Sequence, residues 1–199
     1  MQSIPALIII DMQKDFFESK ELAVQKTGLV TSINQLTDHF AKMNWPIIWV
    51  TQEFKEDLSD AFLAMKEFGR KITIEGTKGR SLLDELSVRD TDIHITKKRY
   101  SGFFQTDLDE RLKSFDIKEL YVCGINSHAC VRTTVVDAYQ KDYEVTVVSD
   151  GVASYDYEHH RVSMAYFERA GIAKLASTDS ARVQTASPPP KPKERVLVF

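Results

Sequence analysis

The sequence lacks most of what would mark a specialised chain. It holds 2 cysteines in 199 residues, Cys123 and Cys130, too few for a disulfide framework or a zinc-ligand set. No apolar run approaches the roughly 18 residues of a membrane span. The N-terminal run ends at Ile10, before Asp11, and no basic region precedes it, so it does not read as a signal peptide. The 26 Lys and Arg are spread along the chain against 29 Asp and Glu, a net charge of −3. That balance argues against a nucleic-acid footprint and against a polybasic membrane anchor. No G-x-G-x-x-G or Walker motif occurs, and Glu75-Gly-Thr-Lys-Gly79 is too short a glycine loop to cradle a phosphate. The histidines (His39, His94, His128, His159 and His160) show neither H-x-H nor H-E-x-x-H spacing, so no metal and no cofactor are expected. These absences leave a cytoplasmic globular protein with two thiols to explain.

What is present fits one domain with an appendage, since 199 residues correspond to about 1.3 domains of ordinary size. Residues 1–180 are expected to form the domain and 181–199 a Pro-rich tail. The tail carries Ala186-Ser-Pro-Pro-Pro-Lys-Pro-Lys193, a polyproline-type or disordered tether, then the apolar Arg195-Val-Leu-Val-Phe199. That ending fits a segment tucked against its own domain or an arm that pairs with a neighbouring subunit.

Four short runs are apolar without alternation: Ala6–Ile10, Pro46–Val50, Leu120–Cys123 and Val145–Val148. Such runs read as buried parallel strands. Asp92–Thr96 and Ile172–Ala176 are weaker candidates. Between them, Leu29, Val30, Ile33, Leu36, His39 and Phe40 share one helical face. So do Leu58, Phe62, Met65 and Phe68, then Val131, Val135, Ala138 and Tyr139, and finally Val162, Ala165, Tyr166 and Ala170. Gly171 stands where a C-cap glycine ends the last helix. The alternation predicts an α/β fold, a three-layer αβα sandwich around a six-stranded, mainly parallel, doubly wound sheet.

In such sheets ligands bind beyond the carboxyl ends of the strands. The residues following the runs supply three chemical types: the acid Asp11, the amine Lys97 and the thiol Cys130. At a helix N-terminus and beside an ammonium, Cys130 would be favoured as thiolate, the nucleophilic form. The competing reading is a small buried hydrophobe. Asp11 alternatively caps a turn, and Lys97 and Lys98 alternatively belong to a solvated loop. Cys123, inside an apolar strand, reads as structural. His128 stands two residues from Cys130, about 200° away on a helix, which disfavours a dyad. His159 and His160 read as an exposed pair without a role.

Around these residues the chain resembles the isochorismatase-like cysteine hydrolases. The motifs are Ile8-Ile-Ile-Asp-Met-Gln-Lys-Asp-Phe16, Glu75–Gly79, Lys97-Lys-Arg-Tyr-Ser-Gly-Phe-Phe-Gln-Thr-Asp-Leu108 and Gly124-Ile-Asn-Ser-His-Ala-Cys-Val131, followed by Thr133–Ala138. They span about Ala6 to Ala176 in family order. The resemblance implies an Asp–Lys–Cys triad at Asp11, Lys97 and Cys130, with Lys97 chosen over Lys98 because it lies four residues before Ser101. It also implies a cis peptide between Ile125 and Asn126 and an oxyanion hole from the N–H groups of Asn126 and Cys130. Nicotinamidases of the family carry an Asp-x-His metal motif after the second strand. Here the stretch reads Thr51-Gln-Glu-Phe-Lys55, which disfavours that activity and a metal. True isochorismatases share the Lys-x-Arg-Tyr-Ser run, and some hydrolyse a vinyl ether without the cysteine.

The function expected is therefore cysteine-dependent hydrolysis of an amide or carbamoyl C–N bond in a small molecule, through a thioester. The alternatives are vinyl-ether hydrolysis with Asp11 as general acid, or a non-catalytic scaffold that keeps the fold. Phe16, Phe17, Tyr100 and Phe103, with Phe54 and Phe104, are candidates for an aromatic pocket wall. Arg99 or Arg132 could meet a substrate carboxylate or simply a surface partner. The partners expected are a small-molecule substrate and further copies of the chain, in a homodimer or homotetramer, with no nucleic acid and no membrane.

Overall fold

Strands that are apolar on both faces must be covered on both faces. A computed structural model of the chain, which describes residues 4–186, uses the apolar runs in this way. β1 (Pro5–Ile10), β2 (Ile47–Gln52), β3 (Ile93–Lys97), β4 (Glu119–Gly124), β5 (Glu144–Val152) and β6 (Lys174–Ala176) form one sheet in the order β3-β2-β1-β4-β5-β6. Every neighbouring pair in that sheet is parallel. The helices are α1 (Lys20–Ala23), α2 (Lys26–Lys42), α3 (Leu63–Phe68), α4 (Leu108–Ser114), α5 (Cys130–Gln140), α6 (Tyr157–Arg169) and α7 (Thr178–Ala186). They flank the sheet as a three-layer α/β sandwich.

All six strands stand where the apolar runs predict them. α2 buries Leu29, Ile33, Leu36 and Phe40, the face its periodicity marks. The helix expected over 58–68 is shorter. Leu58 takes a left-handed backbone (φ 59°), and the helix begins only at Leu63. The apolar residues of this segment instead build a second small cluster of Phe54, Leu58, Ala61, Met65 and Ile74, apart from the main core. Leu63 and Phe68 stay exposed. α7 is helical through Ala186, packs on α2, and buries Ala181, so the first residues of the expected tail belong to the body of the fold. The rest of that tail, 187–199, lies outside the described residues. Among the described residues no helix is long and apolar enough to cross a membrane.

Strand order reverses between β1 and β4. The chain leaves β1 for β2 and β3 on one side, then returns to β4 and continues to β5 and β6 on the other. The crevice at that switch point is where such sheets place their ligands. There the two strand ends meet without an intervening side chain: the Ile125 N–H donates to Ile10 O at 2.9 Å. Gly124 (φ 110°) makes this possible, since a Cβ on it would overlap the main chain of Ile10. Replacing Gly124 with Ala combines a strained φ with a backbone collision. Gly124→Ala is expected to cost about 2–4 kcal/mol and to lower the calorimetric Tm by roughly 6–12 °C.

Candidate active site

Three strand ends bring their side chains to one point. Asp11 follows β1 in a left-handed conformation (φ 53°), Lys97 closes β3, and Cys130 opens α5 after the β4 loop. Lys97 Nζ donates to Asp11 Oδ2 at 2.8 Å and lies 3.4 Å from Cys130 Sγ. All are removed from water: the Lys97 and Asp11 side chains are 0% and 1% exposed, and Cys130 keeps 5%. The structure therefore brings together the acid, the amine and the thiol singled out in the sequence. Cys123 lies elsewhere, inside the sheet, with its Sγ 3.7 Å from Ile8 O.

Burial dominates the electrostatics. It pushes the Asp11 carboxyl above the ordinary carboxylate range, against the opposing pull of Lys97. It works against the Lys97 ammonium too, but Asp11 and Cys130 more than offset it, so the amine is held charged. The Cys130 thiol is pushed well up, first by burial and then by Asp11, with Lys97 opposing. A helix N-terminus alone would favour the thiolate. Here desolvation outweighs it, and the resting thiol keeps its proton until a base takes it. Asp11 Oδ1 is buried and without a hydrogen-bond partner among the described residues, which leaves it a spare acceptor.

The loop before Cys130 leaves two main-chain N–H groups without a carbonyl partner among the described residues. The Ile125–Asn126 peptide is cis. Around it, Ser127 N–H donates to Ala153 O at 2.8 Å, and those of Ala129 and Val131 donate to Asn126 O at 3.0 and 3.2 Å. Asn126 and Cys130 have no such carbonyl partner among the described residues.

Several residues at the site escape a sequence reading. Gln13 clamps the strand ends: its Nε2 donates to Gln52 O and Arg80 O, and its Oε1 accepts from Gln52 N. Thr134 Oγ1 donates to Cys130 O at 2.7 Å and accepts from Gly102 N–H at 2.9 Å, tying the nucleophile's helix to the segment after Lys97. Gln52 pairs in register with Lys97, so both side chains leave the same face of the sheet. Its Nε2 is buried without a partner. A polar residue ending an apolar strand was the one available signal for it.

The aromatic candidates divide. Phe17 and Phe103 belong to the main core, and Phe103 stacks on Tyr143 with ring centroids 6.0 Å apart. Phe54 packs in the small cluster, while Phe16 is partly buried against the core. Tyr100 and Phe104 are exposed, and Tyr100 lies against Phe62 at 4.6 Å. Arg99 donates to Asp60 O and lies over the Phe62 ring, whereas Arg132 lies over Tyr166. Surface concavities over α6 and beside the Glu75–Gly79 loop include none of Asp11, Lys97 or Cys130. In the glycine loop, Gly79 leaves room for the Asp15 carboxylate, which accepts from Thr73 N–H at 2.6 Å. The Thr51–Lys55 stretch, where the Asp-x-His metal pattern would stand, holds no histidine, and its one acid, Glu53, is paired with Arg80, so this chain does not fit a metal held in that way.

Removing Lys97 would leave Asp11 as an unpaired buried charge. Lys97→Met is expected to lose about 3–5 kcal/mol at pH 8 in urea unfolding. Without its cation, Asp11 binds a proton more tightly folded than unfolded. The deficit should therefore be smallest near pH 4 and grow as pH rises.

Comparison with known proteins bears on the same residues. The isochorismatase domain model matches residues 5–180. A probable inactive nicotinamidase of Arabidopsis thaliana is 31% identical over 175 residues, covering 84% of this chain and 89% of the relative. The crystal structure of an isochorismatase family protein from Desulfovibrio vulgaris superposes with a TM-score of 0.85 at 26% identity, covering 94% of this chain and all of that one. The N-carbamoylsarcosine amidase of Thermoplasma acidophilum gives 0.76 at 26% identity, covering 88% of this chain and 97% of that one. The sheet architecture and these matches agree, and the chain belongs to the isochorismatase family of hydrolases.

Proposed function

We propose that the chain hydrolyses a C–N bond of a small amide or carbamoyl compound through a thioester on Cys130. The carrying observation is the contact of Lys97 Nζ with both Asp11 Oδ2 and Cys130 Sγ in a nearly dry site. Asp11 takes the thiol proton and becomes neutral, and Lys97 keeps the resulting thiolate beside a cation. The thiolate adds to the carbonyl carbon, and the N–H groups of Asn126 and Cys130 receive the oxyanion. The C–N bond then breaks, and the departing nitrogen takes the proton back from Asp11. A water next gives its proton to Asp11 and adds to the thioester. Collapse breaks the C–S bond, releases the acid and returns the proton to sulfur. Gln52 Nε2 is a spare donor beside Lys97 and suits a second polar atom of the substrate. The small exposure of Cys130 favours compact substrates.

The similarity to an amidase of known structure supports this reading. The name of one relative, a probable inactive nicotinamidase, makes turnover itself the first thing to measure. A screen of small amides, ureas, carbamoyl acids and nicotinamide for ammonia release is expected to find a substrate. Cys130→Ser should then lose activity by at least about 10³-fold. Iodoacetamide should label Cys130 and not Cys123, with the substrate protecting. The raised Asp11 pKa places the acid limb of kcat/KM above the ordinary carboxylate value of about 4, with activity falling as pH drops through it.

A second reading is vinyl-ether hydrolysis with Asp11 as general acid, which its raised carboxyl pKa favours. The two separate cleanly, because Cys130→Ala would leave that reaction largely intact.

A further inference from the structure

Two serine–histidine contacts lie behind the loop that carries the free N–H groups, and the reaction above uses neither. Ser127 Oγ and His160 Nδ1 are 2.8 Å apart, and His128 Nδ1 and Ser154 Oγ are 2.6 Å apart. Ser127 is completely buried, and it sits in the chain between Asn126 and Cys130, whose N–H groups have no carbonyl partner among the described residues. Its hydroxyl proton needs an acceptor, and among the described residues its side chain is hydrogen-bonded to His160. An imidazole nitrogen accepts only when it carries no proton. A proton on Nδ1 would leave that hydroxyl proton without an acceptor among the described residues, so the contact fits a neutral His160 ring with a bare Nδ1.

The ring is held from its own helix. Asp156 caps α6 by accepting from His159 N–H at 2.9 Å, which fixes the first turn that carries His160. The same junction touches the loop twice through the main chain: Ser127 N–H donates to Ala153 O, and Tyr155 N–H donates to Asn126 Oδ1 at 3.3 Å.

We propose that His160, accepting from Ser127, is a positioning residue that orients the Asn126–Cys130 segment and so aims its two free N–H groups. This rests on the anion-binding role given to those groups above. Protonation would turn Nδ1 from acceptor to donor, set two donors against each other, and put a charge against a buried hydroxyl. The titratable and charged groups around this contact are His128 on the loop, Asp156, Tyr157, Glu158, His159 and Arg161 on α6, and Arg132 on α5. The two carboxylates that would favour an imidazolium are already paired, Asp156 with His159 and Glu158 with Arg161. Burial holds both His160 and His128 below the ordinary histidine range, in keeping with neutral rings.

The test compares His160→Leu, which removes the acceptor, with His160→Asn, whose Oδ1 can accept from Ser127 and cannot protonate. Ser127→Ala is the milder cut. Hydrogen-exchange protection of the 125–131 amides needs no substrate and is read first; kcat and KM follow on any substrate the screen supplies. His160→Leu and Ser127→Ala are expected to lower both protection and kcat by about tenfold, the scale of one lost hydrogen bond, with KM little changed. His160→Asn should recover most of that loss. In the wild type, protection should fall as pH drops below about 6.5, since the opened loop binds the proton more readily, and His160→Asn should flatten that fall. Wild-type protection in His160→Leu, or an Asn variant no better than Leu, overturns the proposal. So does lost protection with unchanged kcat. The expected protection pattern in a protein that hydrolyses no amide would sink the proposed reaction and leave the His160–Ser127 tie standing.

Discussion

A charged lysine and a carboxylate share a hydrogen bond at a depth where neither meets water, and the rest of the site follows from that arrangement. Taking two such ions out of water costs several kcal/mol each, and only close geometry with further hydrogen bonds repays it. The sheet supplies that geometry. Lys97 starts two strands away from Asp11 and crosses the β2 end beside Gln52, its registered neighbour. The carboxylate is held at the switch point by a left-handed backbone, with Gln13 bracing the strand ends around it. Placed third in this group, the Cys130 thiol feels burial and an anion against one cation, which together hold its proton on.

Much of this was legible in the amino-acid sequence. Runs such as Ala6–Ile10 and Leu120–Cys123 are apolar at every position, which only a doubly covered strand needs, so the strands and their parallel, doubly wound class could be read directly. Asp11, Lys97 and Cys130 stood out because each interrupts or follows such a run with a different chemical type. What stayed hidden depends on contacts between distant segments. Leu58 to Phe68 has helical spacing, yet tertiary packing pulls Leu58 into a left-handed turn and divides the segment between a short helix and a separate apolar cluster. Phe17 and Phe103 look like pocket walls in a list of aromatics and are core residues in space. His160 read as an exposed helix-start histidine, because nothing local reveals that Ser127, 33 positions earlier, lies against it.

The family match adds a frame without deciding the chemistry, since one fold hosts several reactions. What distinguishes this chain lies at a few positions on that frame. After β2 it has no histidine between Thr51 and Lys55, a glutamine amide buried beside Lys97, and an acid, Glu53, paired with Arg80. After β4 it keeps the cysteine, together with a loop in which the Asn126 and Cys130 N–H groups have no carbonyl partner among the described residues.

The close approach at Gly124 also sets how accurately the parts are placed. Asp11 N–H donates to Val50 O at 2.8 Å, and Ile125 N–H donates to Ile10 O. The acid and the loop that leads to the thiol are thus located by main-chain hydrogen bonds rather than by side-chain rotamers. The lysine, at the end of four rotatable bonds, is the adjustable member. Small distortions of the sheet would move acid and nucleophile together, and Lys97 alone would need to re-aim. In engineering terms, the site is a rigid jaw with one compliant element, and its tolerance to strain elsewhere in the sheet is set by the reach of that single side chain.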